Sequence, residues 1–340
     1  MVKKILSSLQ YIIFLGGGLL LVWWQLRGMT PGERTEFNTA FREADYLLVI
    51  PVIIMNLLSH LSRSMRWKLL MEPLGYYPKL KNVFSVTMVG YLANAAVPRL
   101  GEILKCTLLA RYEHLKSDKL IGTILIERAF DFFTYILFIL FTVFIQLNIV
   151  GSYAVGKMQK LAHSGSVPLW VKALILFGGI FLIILTVKKI LSRYPENKTF
   201  IKIKNFGAGI AKGFTAVKNL KKRREFILHT IFIWTMYLLQ IYLGFKAMEG
   251  TSHLGLKSAC SVLSLSTLAM IVTPGGIGTF PFFVMETLGI YGIMLSQGKA
   301  FGWLIWGVST GIVITAGLIS LLLLPYLNKK KNAVSTGSTP

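Results

Sequence analysis

Cysteine and acid are scarce in this chain, and the usual catalytic motifs are missing. Its only cysteines, Cys106 and Cys260, both lie in apolar segments. They exclude a cysteine metal cluster and any disulfide framework beyond one pair, and suit small buried hydrophobes. No HExxH, no P-loop, no Ser/His/Asp set and no Gly-x-Gly-x-x-Gly after a strand occurs. Neither an enzymatic activity nor a metal or cofactor is therefore expected. Long polar stretches are also lacking: of 340 residues, 54% are hydrophobic and 15% charged. That balance excludes disorder and an ordinary soluble domain, and indicates an integral membrane protein. The 14 acids are outnumbered by 37 Lys and Arg, a net charge of +23. These cations sit in loops between apolar runs, where they set topology and meet anionic headgroups, so membrane lipids rather than nucleic acid are the expected partners.

What is abundant is membrane-length apolar sequence. A helix needs about 20 apolar residues to cross the hydrocarbon core. Ile5–Trp24, Tyr46–Met65, Leu120–Ile149, Pro168–Val187, Phe226–Phe245 and Ala300–Leu327 meet that length. The first run follows Lys3 and Lys4, is long for a signal peptide and ends on Trp23-Trp24, so it is expected to be a retained span with an interfacial anchor. Two further regions are interrupted: Asn82–Val97 and Leu100–Tyr112 by Pro98, and Lys257–Thr273 and Gly276–Tyr291 by Pro274-Gly275-Gly276. Each half is short of a ~30 Å core. The sequence predicts an all-α polytopic protein with six spanning helices and two re-entrant helical hairpins.

Basic residues set the parity. Arg66, Lys68, Lys79 and Lys81 follow the second run, and Lys329-Lys330-Lys331 follow the last. Between Lys188 and Arg224 lie twelve Lys or Arg and one acid, Glu196. The first loop instead mixes Arg27, Arg34 and Arg42 with Glu33, Glu36, Glu43 and Asp45. The positive-inside rule then places both termini in the cytoplasm, and a bacterial inner membrane is the expected location. It also gives the hairpins opposite orientations, as in an inverted repeat, where paired interruptions mark a binding site near the midplane. Residues 1–328 form a single expected transmembrane domain, followed by a disordered polar tail, 329–340. Within 188–225, Phe206, Ile210, Phe214, Val217 and Leu220 recur at helical spacing. They predict an amphipathic cytoplasmic segment that lies on the membrane or docks on the bundle.

Charges within the apolar runs single out the candidate site. A charge at the centre of a membrane helix costs about 2.5–3.5 kcal/mol even on insertion scales, so it needs a partner or water. Glu127 and Asp131 are four apart and project from one helix face, beside Arg128; Arg99, Glu102 and Lys105 follow Pro98. Arginine binds carboxylate or phosphate bidentately, so Arg99 and Arg128 suit either an ion-pair network or a headgroup. Past each break a helix restarts, near Leu100-Gly101 and near Gly276-Ile277-Gly278, and helix N-termini favour anions. The expected substrate-binding residues are Arg99, Gly101, Glu102, Glu127, Arg128, Asp131, Pro274, Gly275, Gly276 and Gly278. His60 and Arg63 are placed near the same polar space or at an interface. His229 and Gln240 are expected to form interhelical hydrogen bonds.

Three motifs, LANAAVPRLGEILKC (Leu92–Cys106), TILIERAFD (Thr123–Asp131) and VTPGGIGTF (Val272–Phe280), resemble the lysylphosphatidylglycerol synthase transmembrane-region family. The resemblance covers most of the chain and implies a flippase-like membrane protein. Family members fused to an aminoacyltransferase domain make and flip aminoacylated lipid. Here only Lys329–Pro340 follows the last span, so the resemblance implies the translocating half. Family members often carry a Glu soon after the Gly-Gly-x-Gly motif; here Phe280-Pro281-Phe282-Phe283 follows, and the nearest acid is Glu286. Lysyl-lipid is therefore not assumed. The expectation is translocation or binding of an amphiphile with an anionic or zwitterionic headgroup. Proton-coupled transport of a small anion and a non-transporting scaffold role in envelope-lipid metabolism are the alternatives.

Overall fold

A computed structural model describes residues 16–97, 99–146, 178 and 215–335. Among these residues the chain is helical with no strand. The helices are α1 (16–27), α2 (Pro31–Arg42), α3 (Tyr46–Met71), α4 (Leu80–Ala96), α5 (Leu100–Glu113), α6 (Ser117–Ile145), α7 (Arg223–Lys246), α8 (Leu256–Val272), α9 (Thr279–Ile290) and α10 (Leu295–Ser335). Two compact units contain them, one formed by Met1–Ile124 with Val217–Pro340, the other by Leu125–Ala216. All but Gly178 of the span expected at Pro168–Val187, the first eleven residues of the run Ile5–Trp24, most of the basic amphipathic segment and Pro98 lie outside the described residues. Of the amphipathic set, Val217 and Leu220 are described and buried.

Four described helices are long and apolar enough to cross a membrane: α3, α6, α7 and α10. The 26 residues of α3 extend about 39 Å, reaching beyond the run read from the sequence. The extension brings two cations, Arg66 and Lys68, into the helix, and Arg66 and Trp67 are almost wholly enclosed. Lys105 of α5 stands over the Trp67 ring at 4.4 Å, whose Nε1 donates to Thr123 Oγ1 at 2.8 Å. Arg66 donates to Thr230 Oγ1 and lies over the Phe226 ring. These contacts account for two buried cations that hydropathy leaves unexplained. Around them, Met71, Val83, Val86, Val89, Cys106, Leu109, Leu120, Ile124 and Leu324 form a continuous apolar core.

One helix was not read from the sequence. The mixed-charge first loop contains the helix α2. Thr30 accepts from the Glu33 backbone N–H while the Glu33 carboxylate accepts from the Thr30 N–H, with Pro31 in the first turn. The capping box Thr-x-x-Glu was present in the sequence but carried no apolar run to draw attention to it. At the other end, α10 continues through the basic run to Ser335, past the point where the sequence places a tail.

Each interrupted region folds as two short helices. α4 packs along α5, and α8 along α9. The approach of α5 to α4 is set by two glycines. A Cβ on Gly101 would collide with the Gly90 carbonyl oxygen, and one on Gly90 would stand 2.9 Å from the Gly101 oxygen. Such contact brings backbones together where apolar lipid supplies no hydrophobic drive, and van der Waals packing must hold the pair. Gly101→Ala is accordingly expected to cost about 3 kcal/mol through overpacking. Gly122→Ala, where the added carbon meets nothing within 4 Å, should be neutral or gain up to about 1 kcal/mol. Apparent unfolding temperatures in one detergent compare the two.

Candidate functional site

Both helix breaks have one local design. α4 ends at Ala96, and Val97 is extended, at φ −135° and ψ 119°. α8 ends at Val272, and Thr273 is extended, at φ −124° and ψ 150°. Each precedes a proline, whose ring disfavours helical backbone in the residue before it. The residue after each proline is left-handed: Arg99 at φ 65° and ψ −7°, Gly275 at φ 60° and ψ 12°. Glycine adopts this conformation freely, whereas a side chain there costs about 1–2 kcal/mol. The second break continues with Gly276 at φ 70° and Gly278 at φ 72° before α9 begins.

A broken membrane helix must find partners for its freed backbone groups. At the first break the Asn94 side-chain oxygen accepts from the Gly101 N–H at 2.8 Å. One of the donors expected to face an anion is thus held by the protein itself. At the second break, Thr279 Oγ1 donates to the Ala269 oxygen at 3.1 Å and bonds the Thr273 hydroxyl. The buried Gln25 of α1 donates to the Gly278 oxygen at 2.8 Å. Trp306 Nε1 of α10 donates to the Gly275 oxygen, also at 2.8 Å.

The two breaks meet. A Cβ built on Gly275 would stand 3.9 Å from the Ala95 Cβ, one residue before the end of α4. Gly101, Pro274, Gly275, Gly276 and Gly278 therefore gather around one junction, with Gly101, Pro274 and Gly276 buried. Arg99 is exposed at its edge, and Glu102 is half-buried in the first turn of α5. Glu127, Arg128 and Asp131 belong to the second unit, on α6: Glu127 is buried, the other two half-buried.

A polar row on α3 runs beside the junction. Asn56 donates to Gln240 Oε1 of α7 at 3.1 Å, and Ser62 Oγ bonds His229 Nδ1 at 2.8 Å, the interhelical roles expected of Gln240 and His229. His60 lies against the Tyr91 ring at 5.0 Å, and Arg63 reaches the Tyr91 hydroxyl at 3.5 Å. Asn94, Trp306, Gln25 and Tyr91 were not singled out from sequence. Asn94 was the one with a signal, as the lone amide in an otherwise apolar approach to Pro98.

The sequence profile of the lysylphosphatidylglycerol synthase TM region matches residues 8–329. The chain belongs to that family. A UPF0104 membrane protein of Methanocaldococcus jannaschii is 24% identical over 307 residues, covering 83% of this chain and 87% of that protein. No solved structure matches the chain. With four membrane-length helices and shorter apolar ones, this member of the synthase TM-region family is a multi-pass integral membrane protein. Its junction depends on the Asn94 cap. Asn94→Leu, which keeps the branched side-chain shape and removes the acceptor, should destabilise the protein by about 1–3 kcal/mol. Hydrogen exchange at the Gly101 amide should rise with it.

Proposed function

We propose that this protein binds and translocates an amphiphile with an anionic or zwitterionic headgroup between leaflets, acting as a flippase rather than an enzyme. In this reading α4–α5 and α8–α9 are re-entrant hairpins entering from opposite faces, and six helices span a bacterial cytoplasmic membrane with both termini inside. The helix pairs are short for full crossings: α5 has 14 residues and α9 has 12, about 21 and 18 Å against a ~30 Å core. The basic loops favour the orientation and concentrate anionic lipid on the cytoplasmic side.

The observation that carries the proposal is Arg99. It occupies the left-handed position that the matching break fills with Gly275, and its side chain is exposed at the junction. Strain of this kind persists where the side chain has a use. A guanidinium there suits a phosphate or carboxylate headgroup arriving at the edge of the junction. Glu102, in the first turn of α5, would receive a cationic portion or organise the arginine; on α6, Arg128 would bind phosphate or carboxylate, with Glu127 and Asp131 receiving a cationic portion.

Arg99→Gly separates structure from function. It relieves the strained backbone, so stability should hold or rise by about 1 kcal/mol. Transfer of a fluorescent anionic phospholipid between leaflets of reconstituted liposomes should fall to the protein-free rate. Wild-type protein that moves no lipid across a panel of anionic and zwitterionic headgroups would sink the proposal, as would full transfer by Arg99→Gly.

A further inference from the structure

One turn of α3 carries polar atoms that the fold does not use. Asn56, His60 and Gln240 are 5%, 8% and 5% exposed, so each is more than nine-tenths buried. Asn56 and Gln240 share one hydrogen bond, Nδ2 to Oε1, and Asn56 Nδ2 also approaches Ser309 Oγ at 3.5 Å. Among the described residues, Asn56 Oδ1, Gln240 Nε2 and both ring nitrogens of His60 make no hydrogen bond. A buried polar group left unmatched is destabilising, and here four such atoms fall within a single turn and its neighbour. The Ser59 and Ser62 hydroxyls beside them are engaged, with the Asn56 oxygen and with His229.

The chemistry of the unmatched atoms is mixed. Gln240 Nε2 donates and Asn56 Oδ1 accepts; a neutral imidazole does one of each. A phosphate or carboxylate oxygen can only accept, and would leave Asn56 Oδ1 and one ring nitrogen unmatched. A hydroxyl both donates and accepts, so a group with several hydroxyls satisfies the whole set. The turn is also joined to the hairpin junction on two sides. Tyr91, against His60, stands one helical turn from Asn94 on α4; Ser309, against Asn56, stands one turn from Trp306 on α10.

We propose that Asn56, His60 and Gln240 form a hydroxyl-recognition site inside the helix bundle, which takes a polyol portion of the ligand beside the hairpin junction. The polyol belongs to a lipid headgroup or to a free sugar alcohol. Its assignment to a lipid rests on the flippase reading above. In that case Arg99 takes the charged group at the edge of the junction and the α3 turn selects headgroups by their hydroxyls.

The test uses the full chain, purified in detergent, with binding read by native mass spectrometry and thermal shift. Phosphatidylinositol is compared with phosphatidylpropanol, equal in charge and acyl chains but without ring hydroxyls, and free myo-inositol forms a third arm. Wild type should hold phosphatidylinositol at least tenfold more tightly than phosphatidylpropanol. His60→Phe should reduce that preference below twofold while still binding phosphatidylpropanol; His60→Leu serves if the larger ring perturbs folding. Protection by free inositol that depends on His60, with neither lipid bound, would support the site and overturn its assignment to a lipid. Equal binding of the two lipids without inositol protection overturns the proposal, as does a preference that survives both substitutions. A higher unfolding temperature in His60→Phe with unchanged binding would mean that the turn holds ordered water only, and would also overturn it.

Discussion

The constraint on which the structure depends is that a helix interrupted within an apolar medium must have its freed backbone groups satisfied by protein. Water is not there to do it. Two prolines create two such interruptions, and the surrounding helices answer them atom by atom. Asn94 closes on Gly101, Thr279 on Ala269, Gln25 on Gly278 and Trp306 on Gly275. These bonds come from α4, α9, α1 and α10, so the breaks act as the points where distant parts of the chain are tied together. The glycines follow from the same need. Gly90 and Gly101 let α4 and α5 meet backbone to backbone, and a side chain on Gly278 would collide with the Gly18 oxygen.

Against that background Arg99 stands apart. Its backbone angles nearly duplicate those of Gly275, so the two breaks share a conformation while one of them carries a residue poorly suited to it. Stability alone would favour glycine at both. The charged side chain is retained at an exposed edge, beside a junction whose other members are small, buried or already bonded. This division, with a rigid and self-satisfied scaffold carrying one strained cation, is what connects the local backbone to a binding role. The α3 row adds a second kind of surface, polar but uncharged at Asn56, His60 and Gln240, within one helical turn of the residues that brace the junction.

Much of this architecture was legible in the sequence because hydropathy and proline are strong signals. The ends of the α4, α5 and α8 runs, the pairing of the halves and the roles of Gln240 and His229 follow from apolar length, from the breaks at Pro98 and Pro274, and from isolated amides in apolar helices. Other features left no periodic trace. α2 is a polar helix whose only signature is its capping box. The burial of Arg66 and Lys105 depends on aromatic rings supplied by Phe226 and Trp67, and such tertiary contacts are invisible to a hydropathy window. Gly101 was expected to present its N–H to a ligand; the Asn94 side chain, seven residues earlier, reaches it only because the chain doubles back.

The central claim is that the two proline breaks meet tip to tip in the folded protein. It is tested most directly by disulfide trapping of Ala95→Cys with Gly275→Cys, in a background lacking Cys106 and Cys260. The built separation of 3.9 Å between the two Cβ positions falls in the range a disulfide needs. Cross-linking should be rapid and nearly complete in native membranes under mild oxidant, read as reducible protection of both thiols from maleimide. Two thiols that both label freely under the same oxidant, in protein that remains folded, would contradict it.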